Sequence, residues 1–514
     1  MPAKVPEPGR AARETHTQEV GRLAPWPLDL ACSNGPCPSS REGPARGARP
    51  ARPPPPIVFE DISSRLVSNA PALHYGAAVV APFGDGRRAF AVAGFLGPNR
   101  LLVQRGDRLV DAGSAAFQDP GRQAIGIAGG DSDDDGREEV YVVNTDRFSG
   151  PKRLGDRWFD LCDGHWRDLF ELPQNQAAAN LFAGRSVGAV DRRGDGRYAF
   201  VVANHGGPLR LYRSADDDEI MDLAPTLGVA RVTQARSVLL GPFVSEHTDL
   251  FIGTDNGPNL LFRANDQGRY TEVAGRAGWA DPRGACRGVA LFDAGLGRPG
   301  IILAGWETPN RCLVPLLPGV QWGDRSPAAL AGPGRVRSAV VGDFDNDGFE
   351  ELFLNCLGEP NRLFRRTADQ WREIAPGAAL EPAMFGTGAV AADLDGDGTL
   401  ELLVCHGEDG PQPLSLFRAR RPEHGWLRIA PLTRAGAPAR GATVQLFTQA
   451  GVQTRVLCGG SGYLCQQEPV AHFGLGTALE PHAVRVRWPD GSTAVLHAPE
   501  PRREHSVPHP AVDG

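Results

Sequence analysis

Aromatic residues make up only 7% of this 514-residue chain, and several signatures are missing altogether. No Cys-x-x-Cys pair occurs, which argues against a zinc site. No Asn-x-Ser/Thr acceptor occurs, so N-glycosylation is not expected. No apolar run approaches 20 residues, so no transmembrane helix is expected. There is no G-x-S-x-G elbow, no H-E-x-x-H pair and no phosphate-cradling glycine loop. A basic excess is missing too: the formal net charge is −7, so nothing suggests a nucleic-acid footprint. What is abundant is glycine (64) and proline (45), which fits many short strands and tight turns.

Three stretches share the pattern D-x-D-x-D-G-x-x-E: Asp131-Ser-Asp-Asp-Asp-Gly-Arg-Glu-Glu139, Asp343-Phe-Asp-Asn-Asp-Gly-Phe-Glu-Glu351 and Asp393-Leu-Asp-Gly-Asp-Gly-Thr-Leu-Glu401. The candidate ligands are Asp131, Asp133, Asp135 and Glu139; Asp343, Asp345, Asp347 and Glu351; and Asp393, Asp395, Asp397 and Glu401. Arg137, Phe349 and Thr399, at position 7, complete the three sets. Carboxylates this dense repel one another unless a hard cation neutralises them, and Ca²⁺ takes six to eight oxygens of this kind. The glycine at position 6 supplies the positive φ that folds the loop around an ion. An EF-hand starts the same way, but it needs a Glu at position 12 and a following helix. Position 12 is Val142, Leu354 or Val404 here, and a short apolar run of strand character follows each loop.

The position-9 residue marks a repeat. It recurs at Ala89, Glu139, Ala199, Asp249, Gly300, Glu351 and Glu401, at intervals of 50, 60, 50, 51, 51 and 50 residues. A second marker keeps step: Pro98-Asn-Arg, Pro258-Asn-Leu, Pro309-Asn-Arg and Pro360-Asn-Arg each begin nine residues later. A period of this length built from short strands predicts a seven-bladed β-propeller over residues 57–425. Phe59-Glu-Asp-Ile62 matches the outermost strand of a blade but precedes the first marker, so it is expected to pair with the last blade and close the ring. Four copies have lost ligands. The third keeps Asp191 and Asp195 but has Arg193 at position 3, where a cation opposes Ca²⁺. About three ions are expected, rather than one per copy.

Residues 1–56 hold 13 prolines and a charge of +3, leaving the rest near −10; they are expected to be disordered. They contain no apolar stretch of signal-peptide type. Among nine cysteines, Cys286 with Cys312 and Cys458 with Cys465 are disulfide candidates, while Cys356 and Cys405 read as buried thiols. Residues 426–498 read as a separate small β domain with strands near Trp426, Ala442, Thr454 and Ala483 and a hairpin turn at Pro489-Asp-Gly-Ser. Residues 499–514 are expected to form a disordered tail.

The strings Arg440-Gly-Ala-Thr-Val, Gly459-Gly-Ser-Gly-Tyr-Leu-Cys-Gln, His472-Phe-Gly-Leu-Gly and Val486-Arg-Trp-Pro-Asp-Gly resemble the ASPIC/UnbV domain. The acidic loops resemble the FG-GAP/VCBS repeats of integrin α chains. Together, in this order over roughly residues 57–498, they resemble the cartilage acidic protein family. That resemblance implies secreted, calcium-binding, extracellular-matrix proteins, some acting on axon growth, and no enzymatic activity. It points to a member without the C-terminal EGF-like domain that some relatives carry.

Three functional readings follow. The first is a secreted calcium-stabilised interaction protein whose blade loops present a face to an extracellular protein or matrix component. The second is a propeller enzyme, a hydrolase or lyase, with a channel site near His205 and His406 on adjacent inner rims. The third is a sulfated-glycan binder using Arg485, Arg487 and Trp488 of the C-terminal domain. His472 and Tyr463 read as packing residues.

Overall fold

The computed structural model describes residues 58–512 apart from positions 296, 317–320, 368–369, 421–423, 461 and 478. The expectation for residues 1–56 lies outside the described residues. The described chain is all-β, with helices of no more than a few residues. None is long and apolar enough to cross a membrane.

Each copy of the repeat folds into a four-stranded antiparallel unit. The first consists of His74–Val80, Ala89–Gly94, Arg100–Arg105 and Arg108–Asp111, hydrogen-bonded in that order. The second consists of Ala124–Gly130, Glu139–Asn144, Arg157–Cys162 and His165–Asp168. The third and fourth begin with Gly184–Val190 and Val232–Gly241, and pairing of Ala199–Pro208 with Val232–Gly241 merges them into an eight-stranded sheet. Cys286–Asp293 and Val336–Gly342 open the next two units. The last unit takes Gly386–Ala392, Glu401–His406 and Ser415–Ala419 from one end of the chain and Phe59–Asp61 from the other, with Phe59 opposite Ala419. The first strand of each unit packs on the first strand of the next, and Gly386–Ala392 packs on His74–Val80. Being covered on both faces explains why the first two strands of each unit are buried along nearly their whole length rather than on alternate residues.

The second marker has a structural task. In four units the asparagine after the proline accepts a hydrogen bond from the end of the second strand: Gly94 N–H to Asn99 (3.0 Å), Thr254 to Asn259 (3.0 Å), Gly305 to Asn310 (2.9 Å) and Cys356 to Asn361 (2.8 Å). Its amide donates to the carbonyl of Phe117, Trp279, Leu330 or Ala379 beyond. A side-chain amide thus satisfies backbone groups that the sheet leaves unpaired.

After the last unit come two further sheets. Gly451–Val456, Thr443–Thr448, Ala483–Arg487 and Thr493–His497 form one, the last two joined by the Pro489 turn. Ala471–Gly476, Gly425–Pro431 and Glu504–Val507 form the other. Leu427, Ile429, Val444, Leu446, Phe473 and Val484 fill the core they share. The tail expectation for 499–514 is corrected here: Glu504–Val507 pairs in parallel with Gly425–Pro431, Arg428 opposite Glu504. Its sequence is polar, so only docking onto an existing strand makes it one. The disulfide expectation is also corrected, because every cysteine among the described residues is a free thiol. Burial pushes Cys286 and Cys312 up to about 12 and Cys458 and Cys465 up to about 11, so they stay protonated and inert.

Candidate functional site

Each acidic loop joins the first strand of a unit to the second. In the first loop Asp131 organises the turn: one carboxylate oxygen accepts from the backbone N–H of Asp134 (2.7 Å), the other from Gly136 (3.0 Å). Gly136 sits at φ 87°, as position 6 requires. Asp393 does the same for Gly396 (2.8 Å) and Gly398 (2.9 Å), and Asp343 accepts from Gly348 (2.9 Å). The position-9 glutamates reach back to position 2, Glu351 to Phe344 N–H (3.0 Å) and Glu401 to Leu394 N–H (3.3 Å).

The ligand oxygens converge. In each of three sets they lie within 4.8 Å of one another: Asp131, Asp133, Asp135 and Glu139; Asp343, Asp345 and Asp347; Asp393, Asp395 and Glu401. Glu351 closes the second loop outside its set, and Asp397 borders the third. Arg137, Phe349 and Thr399 donate their backbone N–H to the position-5 aspartate at 2.9 Å. Phe349 is largely exposed, so its side chain takes no part.

This geometry is electrostatically unfavourable without a cation. Burial, and then Asp133 and Asp135, push Asp131 up to about 7. Burial and the neighbouring carboxylates lift Asp345 to about 6, Glu401 to about 8, and Glu139, Asp343 and Glu351 well above the carboxylate range. Asp343 Oδ1 and Glu351 Oε1 are buried and have no hydrogen-bond partner. Hard, anionic, partly unsatisfied oxygen donors on a glycine-bearing loop fit Ca²⁺. The degenerate fourth copy gives the contrast. There Asp249 is equally buried, but it accepts from the backbone N–H groups of Phe243, Val244, Ser245 and Ala264 and from the Ser245 hydroxyl. That carboxylate is satisfied by donors and leaves nothing for an ion.

The loops also differ in a way the motif does not show. Arg365, opposite Glu351 in the strand register, reaches Asp345 at 2.7 Å and contacts Asp347. Arg418, opposite Glu401, reaches Asp397 at 3.2 Å, and Arg65 reaches Asp395 at 3.0 Å and Glu401 at 3.2 Å. In the first loop it is an acid, Asp160, that adds to the negative charge around Asp133. Sequence reading missed these arginines because their relation to the loops runs across strands.

The acidic loops are not an open face. The C-terminal sheets dock on them: Gly474 N–H donates to Asp343 at 3.0 Å, Arg428 Nε lies 3.4 Å from Asp393, and His472 Nε2 is 2.6 Å from Asn346. A Cβ on Gly398 would lie 1.9 Å from the Trp426 indole, and one on Gly136 2.5 Å from the Ala435 carbonyl. This narrows the expectation that these loops present a partner-binding surface: the second loop is largely buried, while Asp134, Asp135, Asp395 and Gly396 stay exposed.

The other candidate residues are dispersed. His205 stands in the third unit and meets Phe148 edge to face, with ring centroids 5.1 Å apart. His406 stands in the last unit, 3.2 Å from Glu381. The two units are not neighbours in the packing order, so the pair shares no rim. Arg485 is held by Gln445 at 2.7 Å, Arg487 by the Glu246 carbonyl at 3.0 Å, and Trp488 is 2% exposed with its indole N–H on the Leu432 carbonyl. They form no exposed sugar-binding strip. Tyr463 is buried, as expected of packing, but its hydroxyl lies 3.4 Å from Arg236.

Two family models match the chain: "FG-GAP-like repeat" over residues 343–404 and "ASPIC and UnbV" over residues 433–513. Cartilage acidic protein 1 of Homo sapiens is 39% identical over 496 residues, covering 86% of this chain and 75% of that protein. The Mus musculus protein of the same name is 40% identical over 82% of this chain and 72% of its own length. That of Xenopus tropicalis is 38% identical, with 82% and 71% covered. Among solved structures, Saccharomyces cerevisiae Sqt1 covers 71% of this chain and 98% of its own at 11% identity and a TM-score of 0.42, too loose a likeness to carry an argument. With relatives this similar over most of both chains, this chain belongs to the cartilage acidic protein family.

Proposed function

We propose that this chain is a calcium-stabilised extracellular interaction protein. In this reading residues 57–425 are a seven-bladed β-propeller, and the C-terminal module, from about 426, caps one of its ends. Three Ca²⁺ ions sit in the acidic loops, held by the residues of the three sets together with Glu351 and Asp397. The observation that carries the reading is position. Each loop is pressed between a propeller unit and the cap, where uncompensated carboxylates are most costly. A cation there would neutralise the loop and join the two modules, adding its binding free energy to the stability of the assembly. The extracellular setting follows from family membership and from the calcium such loops need; matrix or cell-surface proteins are then the partners. They would engage surfaces beyond the part of the loop face that the cap occupies.

Calorimetric titration of residues 57–514 with calcium tests this, paired with thermal melts in calcium and in chelator. About three equivalents and a large rise in melting temperature are expected. Absence of binding at millimolar calcium would overturn the reading.

A further inference from the structure

Every first strand starts with the same irregularity. The register slips by one residue between Gly184 and Ser186, Ala235 and Ser237, Cys286 and Gly288, and Val336 and Ser338. The extra residue is Arg185, Arg236, Arg287 or Arg337, at intervals of 51, 51 and 50 residues. A bulge re-aims the side chain it carries. Four consecutive units therefore point an arginine into one place, while Ile125 and Thr387 occupy the bulges of two others.

The place is a cavity of about 360 Å³ at the end of the first strands opposite the acidic loops, lined by these arginines, Tyr75, Trp306 and, from the C-terminal module, Tyr463. All four arginines are at least 92% buried. Phe148, 69% exposed at the rim, lies over Arg185 (5.3 Å) and Arg236 (5.0 Å), and Trp306 lies against Arg287 (3.8 Å) and Arg337 (4.7 Å). The aromatic planes hold the guanidiniums in position.

The charges do not cancel. Asp255 is shared by Arg236 and Arg287, and Glu408 pairs with Arg337. Among the described residues, the hydrogen-bond partners of Arg185 are carbonyls only, of Gly184 and Phe148. With Arg147 and Asp146 at the rim, five arginines face two lining acids and Asp255, an excess of at least two positive charges, since Asp146 is itself paired with Arg153. Each of the four buried guanidiniums keeps a donor without a partner: Arg185 Nε, Arg236 Nη2, Arg287 Nε and Arg337 Nε. Buried donors without a partner and like charges held close together are both unfavourable. The Tyr463 phenol reports the same field. Burial pushes it up, yet Arg236, Arg337, Arg185 and Arg287 together bring it down to about 8.

We propose that this cavity is a binding site for a dianionic oxyanion of the phosphate-monoester class, held by Arg185, Arg236, Arg287 and Arg337. Two negative charges match the excess. A tetrahedral oxyanion accepts from several guanidinium forks at once. Tyr75, Phe148 and Trp306 supply flat walls for the organic part of an ester. The site is independent of the calcium reading, since no acidic-loop residue lines it.

The test is calorimetric titration of the full chain with phenyl phosphate, inorganic phosphate, sulfate and succinate, in the presence and absence of calcium. Saturable phenyl phosphate binding is expected, weakened by salt and reduced at least tenfold in R236Q/R287Q. Inorganic phosphate binding equally well would assign the site to the free ion. Should the double variant not fold, R185Q, which breaks no ion pair, is expected to weaken binding at least fivefold with an unchanged melting temperature. No saturable phosphate binding at 10 mM, tighter binding of succinate, or variants that bind like the parent would overturn the proposal.

Discussion

Arg440 and Glu138, 302 residues apart, form an ion pair with Nε 2.6 Å from Oε1, and neither side chain is more than 1% exposed. Glu138 is position 8 of the first acidic loop. Its other oxygen accepts from Ala81 N–H at 2.7 Å, and Arg440 also donates to the Val79 carbonyl at 2.7 Å. One pair therefore ties the C-terminal module to two repeat units.

Removing one partner leaves a buried charge, at a cost of about 3–5 kcal/mol. Arg440→Met is expected to lower apparent stability by that order in urea unfolding at fixed calcium. Glu138→Gln/Arg440→Met should recover much of the loss. A single variant within about 1 kcal/mol of the parent would show that the pair does not hold the modules together.

Asp133→Asn separates the ionic role of the first loop from its folding role. In chelator it relieves repulsion, so the melting temperature should hold or rise. In calcium it should abolish one binding equivalent and lower the melting temperature. Asp195→Asn in the degenerate third loop should change neither measurement with calcium. Equal losses in both conditions for Asp133→Asn would contradict a calcium-dependent role.

The chelated protein should lose stability as pH rises. Asp131 stands at about 7, Asp345 and Asp393 at about 6, and Glu401 at about 8, all above their ordinary values of 3.8 or 4.5. A carboxyl raised on folding contributes its full stabilisation below the unfolded value and loses it as pH passes the folded one. Melting temperature in chelator is therefore expected to fall between roughly pH 4 and 8. Each group loses about 1.4 kcal/mol for every tenfold by which folding tightens its hold on the proton. Saturating calcium should flatten that fall, because it binds the ionised form. Identical profiles with and without calcium would refute the assignment.

Two glycines of one loop should respond differently to alanine. Gly396 (φ 73°) and Gly398 (φ 80°) both favour glycine, but a Cβ at Gly396 meets nothing within 4 Å. Gly396→Ala should cost about 1 kcal/mol from backbone strain alone. Gly398→Ala drives a carbon into Trp426 and should in addition loosen the cap, read as faster proteolysis near residue 425. Equal behaviour would mean that Trp426 does not seat the cap.

The repeat is legible in the sequence because its signals are local. The acidic loop, the apolar run after it and the Pro-Asn marker all act within one unit, and the asparagine's hydrogen bonds stay inside that unit. Phe59–Asp61 is placed on the same grounds. The bulge arginines are legible in principle, since Arg-Ser-Val, Arg-Gly-Val and Arg-Ser-Ala recur in register at Arg185, Arg236, Arg287 and Arg337. They escape a sequence reading because a bulge has no composition of its own. The disulfide pairs mislead because proximity along the chain does not set where a side chain points: Cys458 Sγ instead donates to the Gly460 carbonyl at 2.9 Å.

By itself, then, the sequence determined the all-β class, the repeat length and the positions of the three acidic loops, because strand periodicity and loop chemistry are short-range properties. Tertiary structure alone decided that the C-terminal module packs against those loops, that Glu504–Val507 is a strand, and that four arginines some 50 residues apart share one cavity. Each of these depends on contacts between segments whose sequences carry no trace of one another, and burial is defined only once they meet.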